Sequence, residues 1–180
     1  MVYIFLAEGF EEVEALTVID YLRRAGVDIK SVSINSSTDV KGAHGVTVKS
    51  DMTITDADFD ACEMIILPGG LPGTTYLGQC SELVSQIRKF ASEGKRTAAI
   101  CAAPTVFGKA GILVGKKATC YPSLEADLTG AEYVTDTVVT DGAVTTSRGP
   151  RTAVYFALEL IKILKGEDVM KNISEDILLG

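Results

Sequence analysis

Short apolar runs alternate with stretches whose apolar residues recur every three or four positions. Val2–Ala7 is apolar throughout and reads as a strand covered on both faces. From Glu11 to Ala25, apolar side chains at Ala15, Val18, Ile19, Leu22 and Ala25 form a helical stripe closed by Gly26. Ile29–Ile34 reads as a second strand. Val46–Val48, after Gly42 and Gly45, belongs to a small hairpin. Met64–Leu67 is a buried strand ending in Pro68-Gly69-Gly70, and Ser81–Ala91 is an amphipathic helix stopped near Gly94. A strand at Thr97–Ile100 runs into Cys101, with a helix expected immediately after it and reaching about Ala110. Val138–Thr140 and Ala143–Thr145 flank Asp141-Gly142, a two-residue hairpin signal, and a helix follows from about Thr152 to Lys165. The alternation predicts an α/β fold with a mostly parallel central sheet and helices on both faces.

No internal repeat or linker interrupts the pattern, so residues 1–180 are read as a single domain. A hydrophobic fraction of 47% with 23% charged residues suits a compact chain with a substantial core. The net charge of −7 argues against nucleic acid or an anionic membrane surface as a partner. No apolar run is long enough for a membrane span, and no basic-plus-apolar leader precedes the first strand. The four cysteines, Cys62, Cys80, Cys101 and Cys120, show no CxxC pairing. A reducing cytoplasm is the expected setting, with no structural zinc. Buried packing is the default reading for Cys62, Cys80 and Cys120.

Cys101 carries the first chemical signal. At a strand-to-helix turn, unpaired helical N–H groups and the positive end of the helix dipole would favour its thiolate. Pro104 suits a first helical turn, because it lacks an N–H. The alternative is a buried cysteine acting as a small apolar residue. Glu14 is the second signal: it shares the register of Val18 and Leu22, so its carboxylate leans toward the buried face. Such a carboxyl group holds its proton and can act as a general acid, or else it is a dipole partner, as Glu11 and Glu12 can be. Gly69 and Gly70 let the backbone approach a ligand, and Arg148 would bind a carboxylate or tie a loop.

One histidine, His44, lies far upstream of Cys101 in the predicted hairpin. Ala102 follows the cysteine, and Tyr121 follows a strand-like Thr119-Cys120. A cysteine–histidine dyad is therefore disfavoured, and peptidase or amidase chemistry with it.

Together, Ala7–Glu14, Leu22–Gly26, Leu67–Gly70, Ala98–Pro104 and Ser147–Pro150 resemble the ThiJ/PfpI superfamily, most closely its DJ-one-like deglycase branch. The resemblance implies a flavodoxin-like three-layer sandwich with a nucleophile elbow, assembled as a homodimer. It makes Cys101 the reactive cysteine, Glu14 its carboxyl partner, and the Gly70 and Ala102 N–H groups an oxyanion hole. Arg24 falls where an arginine reaches the partner's active site, and His44 falls near that dimer-adjacent pocket. Tyr121 stands where several members carry histidine.

The implied function is a cofactor-independent enzyme acting on 2-oxoaldehydes or early glycation adducts of amines. The alternative is a redox-responsive stress protein or chaperone in which Cys101 oxidises to sulfinate. A thiazole monophosphate role has no supporting phosphate loop or metal cluster in the sequence.

Overall fold

The computed structural model describes residues 1–179. In chain order the elements are β1 (Val2–Leu6), α1 (Glu12–Arg24), β2 (Ile29–Ser33), β3 (Asp39–Lys41), β4 (Thr47–Lys49), β5 (Met52–Thr53) and β6 (Met64–Leu67). Then follow α2 (Gly73–Gln79), α3 (Ser81–Glu93), β7 (Arg96–Ile100), α4 (Pro104–Ala110), β8 (Lys117–Ala118) and β9 (Glu132–Tyr133). The chain closes with β10 (Val138–Asp141), β11 (Val144–Ser147), α5 (Ala153–Lys165) and α6 (Glu167–Asp176).

Seven strands form one sheet in the order β10-β11-β7-β6-β1-β2-β5. Every neighbouring pair is parallel except β10 with β11. The expected architecture is therefore present, a mostly parallel sheet sandwiched between two helical layers. The period-two alternation of strands explains the two cores. Tyr3, Phe5, Ile65, Leu67 and Ala99 face one side, where they pack with Leu77, Leu83, Ile87, Phe90 and Phe107 of α2, α3 and α4. Val2, Ile4, Leu6, Ile66, Ala98 and Ile100 face the other, against Val18 and Leu22 of α1 and Phe156 and Ile161 of α5. Phe5 and Phe59 stack with ring centroids 5.8 Å apart.

Several expectations need adjustment. Helix α4 starts at Pro104, three residues after Cys101, and is seven residues long. The β10–β11 turn is one residue later than expected, since Asp141 pairs with Val144 and leaves Gly142 and Ala143 at the tip. The strand near Cys120 is β8, at Lys117–Ala118. Helices α2 and α6 were not expected. No helix among the described residues is long and apolar enough to cross a membrane.

Candidate active site

The carboxyl ends of β6, β7 and β11 meet the start of α1 at one edge of the sheet. Cys101 follows β7 directly with φ of 67°, a left-handed conformation that costs an L-residue about 1–2 kcal/mol. Two backbone bonds over-determine it. Its N–H donates to the Ser147 carbonyl at 3.0 Å, and its own carbonyl accepts from the Tyr121 N–H at 2.8 Å. The cysteine is thereby fixed from both sides at a sharp strand-to-turn elbow.

Glu14, in the first turns of α1, has no exposed surface. Its Oε2 accepts the Gly69 N–H at 2.8 Å. Oε1 is buried without a partner of ordinary hydrogen-bond geometry, and the Cys101 thiol is the titratable side chain it is coupled to. Gly69 is required by proximity: a Cβ there would lie 2.6 Å from the Cys101 Cβ and 2.7 Å from Glu14 Oε2. Gly70 is required by conformation, with φ of 92°.

Burial pushes the Glu14 carboxyl up to about 7, against the opposing pull of the nearby Cys101 thiol and the bond from the Gly69 N–H. The nearby charge of Glu11 adds to the rise. Burial likewise raises the Cys101 thiol, followed by the charge of Glu14 and the bond to it. The nearby Ala102 and Gly70 N–H groups pull the other way, because such donors favour a charged sulfur. The helix expected to start immediately after Cys101 begins three residues later, at Pro104, and burial and the neighbouring Glu14 charge oppose the thiolate that the helix start was expected to favour. Glu14 is thus the member of the pair that gives up its proton near neutrality, taking the pair from two protons to one while the Cys101 thiol keeps its own.

The structure brings Cys101, Glu14, Gly70 and Ala102 together. Tyr121 and Arg148 border the site rather than enter it. They line a groove of about 780 Å³ with Gly149, Thr152 and Tyr155. Tyr121 is half exposed, and the Arg148 Nη1 donates to the Thr135 carbonyl at 3.3 Å, tying the loop before β10. A smaller cavity of about 280 Å³ is bordered by Leu71, Ala102 and Thr105.

Arg24 and His44 are not beside Cys101 within the chain. Arg24 lies ten residues along α1 from Glu14, roughly 15 Å at the helical rise, and pairs with Asp20 at 2.8 Å. His44 Nδ1 lies 3.0 Å from Glu12 Oε2 and 3.5 Å from Glu11 Oε2. Cys62 and Cys120 are buried, and burial raises each thiol to about 11.

Three contributors were missed or only half read in the sequence. Gly69 was visible in the Pro-Gly-Gly triplet, but its bond spans 55 residues. The carbonyl of Ser147 has no side-chain signature. Glu12 is more than a dipole partner: it is 6% exposed, and its Oε1 accepts the N–H groups of His44 at 2.7 Å and Val46 at 3.3 Å.

Among curated proteins, the chain is 38% identical over 179 residues to the protein dj-1beta of Drosophila melanogaster, covering 98% of this chain and 96% of that one. The crystal structure of Drosophila melanogaster DJ-1beta superposes with a TM-score of 0.95, covering 99% and 97% of the two chains. Protein DJ-1 homolog B of Arabidopsis thaliana is also 38% identical, but the chain spans 41% of its length. A Caenorhabditis elegans relative, 33% identical over 96% of this chain and 92% of its own, is named a glutathione-independent glyoxalase, and a Pyrococcus horikoshii relative, 36% identical over 88% and 96%, a deglycase. The DJ-1/PfpI family model matches residues 1–163. With nearly its whole length matched, and with a cysteine elbow and a buried carboxyl at the sheet edge, the chain belongs to the DJ-1/PfpI family.

Proposed function

We propose that the protein is a cofactor-independent enzyme that converts 2-oxoaldehydes to 2-hydroxy acids, with glycated amines as related substrates. The observation that carries this reading is the partly exposed Cys101 beside the buried Glu14, with the Gly70 and Ala102 N–H groups close by and no imidazole among the groups bearing on the sulfur. Glu14 is poised near 7, so it can take and return a proton at working pH. Relatives named glyoxalase and deglycase support the same class of substrate.

The chemistry follows from the proton that the pair shares. Glu14 takes the thiol proton as the sulfur adds to the aldehyde carbon, and the oxygen is reprotonated to give a hemithioacetal. Charge on that oxygen falls to the Gly70 and Ala102 N–H groups. Glu14 then removes the C1 hydrogen as a proton, and reprotonation at C2 yields a 2-hydroxy thioester. Water cleaves the thioester, so methylglyoxal plus water gives lactate with no net redox change. Lactate formation without glutathione or metal, lost in Cys101→Ser, is the expected result. Equal formation by wild type and Cys101→Ser overturns the reading.

A second reading rests on Tyr121. A phenol at this position cannot shuttle protons near neutrality as imidazole does, which favours slow turnover and a redox-responsive role. Protonated Glu14 would then donate to a Cys101 sulfinate. Graded peroxide followed by intact mass distinguishes the two: a Glu14-dependent gain of two oxygens on Cys101 supports sensing.

Homodimerisation is part of the proposal. Val13 and Leu16 are exposed on the same helix that carries Arg24, an apolar face suited to a second copy. Sedimentation of wild type and Leu16→Glu tests it, with a dimer expected to become monomeric.

A further inference from the structure

The only histidine of the chain is tied into the turn that carries Glu14. Glu12 Oε1 accepts the His44 and Val46 N–H groups, and Glu12 Oε2 meets His44 Nδ1 at 3.0 Å. The β3–β4 hairpin is thereby buckled onto the first turn of α1. The same turn touches the site twice. The Glu11 N–H donates to the Gly69 carbonyl at 2.9 Å, and the Gly69 N–H donates to Glu14 Oε2 at 2.8 Å. The Phe10 carbonyl accepts the Ala43 N–H at 2.8 Å, which closes the hairpin against this strand-to-helix loop.

We propose that His44 is a positioning residue for the reactive pair: its cation, held against Glu11 and Glu12, sets the electrostatic environment in which Glu14 gains and loses its proton. This rests on the reading of Cys101 and Glu14 given above. The charged groups bearing on His44 are Glu12 and Glu11, while those bearing on Glu14 are Cys101 and Glu11. Glu11 is therefore common to both. Its negative charge holds the Glu14 carboxyl up, and a cation 3.5 Å from the Glu11 carboxylate offsets that charge. Burial raises Glu12, but the bonds from His44 and neighbouring N–H groups outweigh it and keep the carboxylate ionised. The bond to Glu12 and the charge of Glu11 raise His44 in turn, which favours the imidazolium.

The test is the pH dependence of Cys101 alkylation by iodoacetamide, read by intact mass. Wild type, His44→Gln and His44→Arg are compared, alongside lactate formation from methylglyoxal. Gln keeps a hydrogen-bond donor but removes the charge, whereas Arg keeps the charge. The expected result is a midpoint raised by about half a pH unit in His44→Gln and left in place in His44→Arg. Superimposable midpoints for wild type and His44→Gln overturn the proposal, as does an equal shift in both variants. If wild type forms no lactate, the proposed function fails while the alkylation midpoints still decide the role of His44. Circular dichroism confirms folding, and Glu12→Gln, which removes the negative anchor, is the supporting variant if His44→Gln unfolds. Its expected effect is a midpoint shift with Glu11 still present, and no shift overturns the coupling.

Discussion

The Gly69 N–H donates to Glu14 Oε2 at 2.8 Å across 55 residues of sequence, so the backbone beside Cys101 and the Glu14 carboxyl hold each other in place. A side chain at 69 would strike both partners at once. Gly69→Ala is therefore expected to destabilise the fold by about 1–3 kcal/mol and to lower lactate formation more than tenfold. Denaturant unfolding and kcat/KM measured on the same preparation check both arms.

The proton shared by Cys101 and Glu14 fixes a pH profile. Addition of sulfur needs the pair to hold one proton rather than two, so the active form grows as Glu14 loses its proton near 7. kcat/KM for methylglyoxal is expected to rise about tenfold per pH unit below that value and to level off above it. A flat profile between pH 5.5 and 8 contradicts it.

Burial of Glu14 also links stability to pH. Its folded value of about 7 lies above the ordinary 4.5, so the native state holds this proton more tightly than the unfolded chain. The resulting stabilisation is complete below 4.5 and is lost as pH climbs to 7, a swing of about 3 kcal/mol for this group. Glu14→Gln does not titrate. Relative to wild type, its stability is expected to improve between pH 4.5 and 7.5, measured by urea unfolding at several pH values.

The cysteines should separate by environment under oxidation. Burial raises the Cys62, Cys120 and Cys101 thiols alike, so access and a proton acceptor order them: Cys101 is partly exposed beside the Glu14 carboxyl, whereas Cys62 and Cys120 are buried and Cys62 Sγ is bonded to the Met64 carbonyl at 3.2 Å. Mild peroxide is expected to place oxygen on Cys101 first, and peptide mapping after a graded series checks the order.

Replacing Tyr121 by histidine would put an imidazole beside the elbow, on the residue whose N–H bonds the Cys101 carbonyl. Turnover of methylglyoxal is expected to rise several-fold, in line with general acid–base catalysis by a group titrating near neutrality. An unchanged kcat would mean that Glu14 alone carries the proton traffic.

The strands that build the site were legible because they are buried on both faces: Val2–Leu6, Met64–Leu67 and Thr97–Ile100 are apolar runs with little else to become. Helix α2 was illegible for the opposite reason, since Gly-Thr-Thr-Tyr-Leu-Gly-Gln contains two threonines and two glycines and shows no apolar stripe. The registers of Cys101 and Glu14 pointed both toward the sheet edge but left inert packing and a dipole partner open, and the family resemblance is what singled them out. Their mutual protonation was not legible, because it depends on how much water the folded chain excludes from both. Glu12 looked like an ordinary first-turn acid, since its partners lie 32 and 34 residues away in a hairpin whose own sequence is polar.

The left-handed backbone at Cys101 gives the elbow an evolutionary direction. Glycine alone adopts that φ without penalty, so mutation at this codon is pulled toward a residue with no side chain whenever the sulfur ceases to matter. A descendant that abandoned the chemistry would keep the sheet, the helices and the Glu14 burial while relaxing at this one position. At residue 101, then, the backbone favours glycine and only the sulfur argues for cysteine.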